Sequence, residues 1–198
     1  MSELRTWIAE LAHTEPSVRQ RAAEGLYAFG QALGEAAVAP WRQQSELAGL
    51  LAGAPTVGVA VQPDRFADIH RAWGRPPLAQ VPPDQDAEEF ELHTETARLD
   101  ILTTRTGQGA IARFLEKFGE GIQQVEYLVT DVDRATQLLS SLGIRAIHPE
   151  PRAGANQTRV NFFLATTSEG RKVLIELVEL PRKTLGGTPS AGLHHSRA

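Results

Sequence analysis

Apolar residues recur along this chain with two different periods, and the change of period divides it. Leu4, Ile8 and Leu11 repeat at helical spacing. Thr14 then offers an N-cap, and Pro16 suits a first helical turn, where its missing N–H costs little. Beyond it Val18, Ala22, Leu26, Phe29 and Leu33 form one apolar stripe, with Arg19, Gln20, Arg21 and Glu24 on much of the other side. Gly30, Gly34 and Pro40 are read as ends or bends, and a short third helix is expected near 45–51. From about residue 55 the period drops to two. Strands are expected at 57–61, 90–92, 98–103, Gly121–Val129, 144–148, 158–165 and 172–179. Helices are expected at 64–73, Gly109–Phe118 and 133–142, the first and last stopped by Gly74 and Gly143.

The β-rich region repeats itself. A strand ending at Val61 leads to Asp64-Arg65 and a helix stopping at Gly74; a strand ending at Val129 leads to Asp133-Arg134 and a helix stopping at Gly143. Ile69 and Leu138 fall in register, as do Trp73 and Leu142. Two pseudo-symmetric βαβββ modules are therefore expected. The organisation read from the chain is an N-terminal helical segment at 1–53, a β-rich domain at 55–180 and a flexible tail at 181–198. The tail is rich in Gly, Ser, Pro and basic residues, and its His194-His195 pair is read as incidental.

Strand side chains alternate between faces. Val57, Val59 and Val61 share one face of their strand, and Val125, Tyr127 and Val129 share one face of theirs. The opposite faces carry small residues and isolated polar groups: Thr56, Asp100, Gln124, Glu126 and Glu176. Glu176 interrupts the apolar run 173–178. A carboxylate there needs a cation, a donor, a proton or a water-filled cavity. A structural ion pair and a ligand role stand about even for it.

Composition narrows the partners. The 198 residues carry 20 basic and 24 acidic side chains, net −4, which gives no reason to expect nucleic acid. No run of like charge points to a membrane surface. There is no cysteine, so disulfides, thiolate metal sites and cysteine nucleophiles are excluded. With no basic start and apolar run at the N-terminus, and no long apolar stretch, a cytoplasmic location is expected.

Certain segments resemble a known family. Glu15-Pro16-Ser17-Val18-Arg19-Gln20-Arg21-Ala22-Ala23 resembles one unit of a HEAT-like repeat. Gly119-Glu120-Gly121-Ile122-Gln123-Gln124-Val125-Glu126-Tyr127 resembles the epimerase strand of the vicinal oxygen chelate superfamily, the glyoxalase, bleomycin resistance and dioxygenase group, where Gly-Ile-His-His is usual. The segments 159–163 and 173–177 resemble that superfamily's last two strands, and 110–115 resembles the helix joining its halves. The resemblance implies an α+β fold: paired βαβββ modules forming a U-shaped mixed sheet, here preceded by a small helical segment. It also implies a homodimer and a divalent metal held by one residue from each of four strands.

Carried over residue by residue, the ligand positions fall at Thr56, Asp100, Gln124 and Glu176, and the family's acidic base falls near Asp84 or Asp86. The usual histidines are absent at 56 and 124. The oxygen donors Asp100, Gln124 and Glu176 suit a hard divalent cation, Mg²⁺, Mn²⁺ or Ca²⁺, better than Zn²⁺ or Ni²⁺. The alternative is a site with no metal.

Two functions follow from this resemblance. One is a glyoxalase-like protein with an eroded metal site that binds a small molecule in the cleft, with Thr56, Asn161 and Arg98 as candidate ligand-binding residues. The other is a metal-dependent isomerase or lyase resembling methylmalonyl-CoA epimerase, with Glu126 as a candidate proton carrier. A protein-interaction role for the N-terminal helices, with Trp7, Trp41 and the Leu47, Leu50 and Leu51 cluster, ranks below both.

Overall fold

The period-two runs pair into one mixed sheet, and every helix but the one at Gly109–Phe118 packs on the same face of it. The computed structural model describes residues 3–181. The helices are α1 (Glu3–Glu10), α2 (Pro16–Arg42), α3 (Ser45–Leu50), α4 (Pro63–Ala72), α5 (Gly109–Phe118) and α6 (Val132–Ser141). The strands are β1 (Leu51–Ala60), β2 (Ala87–His93), β3 (Arg98–Thr104), β4 (Gly121–Val129), β5 (Arg152–Ala153), β6 (Arg159–Thr166) and β7 (Lys172–Glu179). Their order in the curled, seven-stranded sheet is β2-β3-β1-β4-β7-β6-β5. The tail expected at 181–198, with its histidine pair, lies outside the described residues from position 182 onward.

The duplication is visible in the pairing. β1 runs parallel to β3 in the first half, and β4 parallel to β7 in the second. β1 and β4 join the halves antiparallel, with Thr56 opposite Glu126 and Gly58 opposite Gln124. α4 and α6 start beside equivalent strands and end at Gly74 and Gly143, whose φ values of 79° and 78° select glycine. The strand expected at 144–148 is reduced to one bridge, Ala146 to Phe163, and the first half has its counterpart in Leu78 to Phe90. Prolines explain both: Pro76-Pro77 and Pro149 with Pro151 flank these bridges, and none can donate to a ladder.

The N-terminal helices belong to the same hydrophobic core as the sheet. Ile8, Leu11, Ala22 and Leu26 pack with Val57, Val59 and Phe90. Ala37, Val38, Trp41 and Leu47 pack with Val125, Tyr127 and Phe163. Trp41 meets Phe163 edge-on at 5.9 Å between ring centroids. The expected breaks at Gly30, Gly34 and Pro40 do not occur, since α2 runs continuously from Pro16 to Arg42. The two glycines instead allow close approach. A Cβ at Gly30 would stand 2.4 Å from Val57 Cγ1, and one at Gly34 2.5 Å from Val125 Cγ1. α2 therefore turns a different stripe to the sheet than its large apolar residues suggest. Ala22, Ala23, Leu26, Gly30, Gly34, Ala37, Val38 and Trp41 are buried, while Phe29 is exposed.

Polar contacts also tie α2 to the sheet. Gln20 Nε2 donates to Thr96 Oγ1 (2.9 Å), and Thr96 Oγ1 donates to Glu24 (2.8 Å), at the turn between β2 and β3. Tyr127 donates its hydroxyl to Glu35, which also holds Arg42. Among the described residues no helix is long and apolar enough to cross a membrane.

Candidate functional site

The face of the sheet away from α2 lines a cavity of about 760 Å³. β2 supplies Glu89 and Glu91, β3 Asp100 and Leu102, β4 Gln124 and Glu126, and β7 Leu174, Glu176 and Val178. Register explains their convergence. Glu91 stands opposite Asp100, Glu126 opposite Glu176, and Phe162 opposite Glu176 from the other side. Gly58 lies between Asp100 and Gln124 on the central strand. It makes room for them: a Cβ there would fall 2.7 Å from Gln124 Cγ and 3.1 Å from Leu102 Cδ1.

Little in the protein balances this charge. Gln124 donates a hydrogen bond from Nε2 to Glu176 Oε2. Asp100 is 6% exposed, and its Oδ1 accepts no hydrogen bond, although His93 Nε2 lies 3.3 Å away. Gln123 Oε1, also on the cavity wall, is buried without a hydrogen bond. Burial, then the neighbouring Asp100 and Glu91, push the Glu89 carboxyl up to about 8. Burial, then Asp100, Glu89 and Glu91, push Glu126 to about 8 as well, against a small opposing effect of Arg98. Glu176 is raised well above the usual range by burial and by Glu126, Glu89 and Asp100. These are carboxyls that hold protons near neutral pH unless a cation arrives.

The structure brings Asp100, Gln124, Glu126 and Glu176 together on one cavity wall. Thr56 is buried opposite Glu126 but does not line the cavity. Arg98 is half-buried outside the lining, its Nε without a hydrogen bond, and its charge reaches Glu126. Asn161 does not reach the cleft, which corrects its reading as a ligand-binding residue. Its amide donates to Thr136 Oγ1 (3.3 Å) and His148 O (3.2 Å), and its Oδ1 accepts from Phe162 N (2.9 Å). Alternation along β6 decides this, because Phe162 faces the cavity and its neighbour must face α6.

Both acidic residues expected near the base position are committed elsewhere. Asp84 pairs with Arg152. Asp86 accepts from Thr104 Oγ1 (2.8 Å), Thr106 N (2.9 Å) and Gln108 N (3.0 Å), which closes the loop before α5. Burial works to raise its carboxyl, but these hydrogen bonds hold it below the ordinary value. The sequence reading missed Glu89 and Glu91. The signal was in Glu88-Glu89-Phe90-Glu91-Leu92: once Phe90 and Leu92 enter the helix-side core, the alternate glutamates face the cleft.

A different acidic group, Asp131, Asp133 and Glu179, has carboxylate oxygens within 4.8 Å of one another, a spacing that would admit a metal ion. Arg159 already lies across it, 2.7 Å from Asp133 and 3.6 Å from Glu179. Val132 N donates to Glu179 and Arg134 N to Asp131, so the group also caps α6.

The paired modules, their antiparallel junction and the cavity on the curled face are the vicinal oxygen chelate fold. Solved structures that the chain resembles are methylmalonyl-CoA epimerases. The enzyme from Mycobacterium tuberculosis is 31% identical, matching 68% of this chain and 89% of that one with a TM-score of 0.54. An epimerase in complex with methylmalonyl-CoA and NH₄⁺ is 26% identical over 64% of this chain and 93% of that one, TM-score 0.53. A variant of the Streptomyces coelicolor epimerase in complex with 2-nitronate-propionyl-CoA is 26% identical over 67% and 96%, TM-score 0.56. The uncharacterized protein YqjC of Bacillus subtilis is 30% identical over 84 residues, which spans 42% of this chain and 59% of that protein. No protein-family model matches the chain.

Proposed function

We propose that this protein binds a small molecule in the cleft of a vicinal oxygen chelate fold whose metal site has lost its imidazoles. The observation that carries this reading is the direct hydrogen bond from Gln124 to Glu176 on the wall of a roomy cavity. Two residues at positions where the resemblance implies metal ligands satisfy each other. The cavity falls within the size range of small-molecule sites and has apolar walls with a few convergent polar groups. Epimerases of similar fold are solved with CoA thioesters, which supports a small organic ligand.

A second reading is favoured by the unsatisfied Asp100 Oδ1. The donor set fits a hard divalent cation: Asp100, Glu176 and, after its amide turns, the Gln124 carbonyl oxygen would hold Mg²⁺ or Mn²⁺. Such an ion supplies Lewis-acid stabilisation of negative charge on a bound carbonyl compound. The residues' own part would be proton transfer beside that carbonyl. Glu126 and Glu89, both protonated at neutral pH without a cation, would become bases when one lowers their pKa. This would make the protein an isomerase or lyase.

Elemental analysis of the purified protein, followed by calorimetric titration with Mg²⁺, Mn²⁺, Ni²⁺ and Zn²⁺, separates the two. The binding reading expects no stoichiometric metal and no titratable metal site. Tight metal lost on Asp100→Ala and Glu176→Ala would overturn it in favour of the isomerase or lyase.

A further inference from the structure

The cleft combines a floor rich in carboxyls with apolar walls. Glu89, Glu91, Asp100, Glu126 and Glu176 all face it. Of the basic residues that line it, Arg152 pairs with Asp84, and among the described residues neither Arg113 nor His148 makes an ion pair with these carboxyls. Two buried oxygen atoms are left without hydrogen bonds, Asp100 Oδ1 and Gln123 Oε1. His93 Nε2 lies 3.3 Å from Asp100 Oδ1 without making a hydrogen bond to it, so this oxygen can still accept an N–H or O–H from a ligand. A wall on which acidic groups outnumber basic ones favours ligands of positive charge.

Volume and wall chemistry say what kind of cation. A bare metal ion would use a small part of about 760 Å³ and leave Leu102, Ile111, Phe162, Leu174 and Val178 facing water. An anionic ligand would meet carboxylates wherever it touched the floor. A molecule with a charged nitrogen at one end and an apolar body satisfies both surfaces.

We propose that the cleft selects an organic cation, a protonated amine or guanidine on an apolar body. Its charged nitrogen sits at Asp100, on the side that faces Glu126 and Glu176, and its body lies against Phe162, Leu174 and Ile111. This rests on reading the cleft as a ligand site and narrows the class of ligand.

The test uses three probes with one phenylbutyl body, titrated calorimetrically into the full chain in metal-free buffer: 4-phenylbutylamine, 4-phenylbutan-1-ol and 4-phenylbutyrate. The amine is expected to bind one to one and about tenfold or more tighter than the alcohol, with the carboxylate weakest, as charge-assisted hydrogen bonds require. Asp100→Asn and Glu176→Gln should each erase most of the difference in affinity between amine and alcohol. Circular dichroism verifies their fold, and the wild-type probe series stands alone if a variant fails to fold. Equal binding of amine and alcohol would overturn the cation preference and leave the ligand-site reading intact. No binding by any probe would overturn both. Stoichiometric Mg²⁺ or Mn²⁺ that displaces the amine through the same residues would overturn the proposal in favour of a divalent-cation site.

Discussion

The two faces of the sheet solve opposite problems with neighbouring residues of the same strands. On the helix side Tyr127 is 1% exposed, and its hydroxyl is satisfied by Glu35. Asn161 is fully buried and bonded through both ends of its amide. On the cavity side Asp100 is nearly as buried, yet one of its oxygens accepts no hydrogen bond, with His93 Nε2 3.3 Å away. The first face is finished for stability. The second gathers buried carboxyls, with few donors among its own side chains, at a cost in stability.

The contrast should break most visibly on the helix side. Gly30→Val has no room against Val57 and is expected to cost about 3 kcal/mol. Urea denaturation checks this, and an unchanged midpoint would mean that α2 does not press on β1 as described. Asn161→Ala comes next, with an expected loss of about 2 kcal/mol from the groups left unpaired. Its affinity for any cleft ligand should not change, and a selective loss of binding would return this residue to the site.

On the cavity side the sign should reverse. Glu176→Gln keeps the shape and removes a buried ionisable group, so a gain of about 1 kcal/mol is expected at pH 8. A large loss instead would show that its carboxylate is held by a partner in solution. The pH profile sharpens the same point. Folded Glu89 and Glu126 keep protons up to about 8, whereas the unfolded chain releases them near 4.5. The folded state therefore binds more protons within that window, and stability should fall as pH rises through it, levelling above about 8. A flat denaturation profile between pH 5.5 and 8 would mean that a bound cation already neutralises the cluster. Phe29→Ser, on the exposed side of α2, should change stability by no more than about 0.5 kcal/mol.

Much of the β architecture could be read from periodicity. Gly109–Phe118 and Gly121–Val129 have the bounds expected of them, because glycines and strict alternation mark their ends. The internal repeat gave the paired modules, and alternation placed Asp100, Gln124, Glu126 and Glu176 on one face. What could not be read depends on which element lies opposite. Gly30 and Gly34 look like helix breaks until a sheet is set against them, and Phe29 looks like core until those glycines choose the buried stripe. Asn161 and Phe162 are adjacent polar and apolar residues, and each faces the side its chemistry would not predict. Asp86 looks like a free base because a chain of letters does not show the loop folding back to bond it three times.

α2 has a mechanical consequence. It sets Gly30 on β1 and Gly34 on β4, one turn apart, so a single rigid rod is fastened to both halves of the duplication from behind. A trough braced in this way cannot widen by hinging along its midline. Any change in the width of the trough would then fall to its rim, where the proline-punctuated loops around Pro82 and Pro149 lie outside the braced strands.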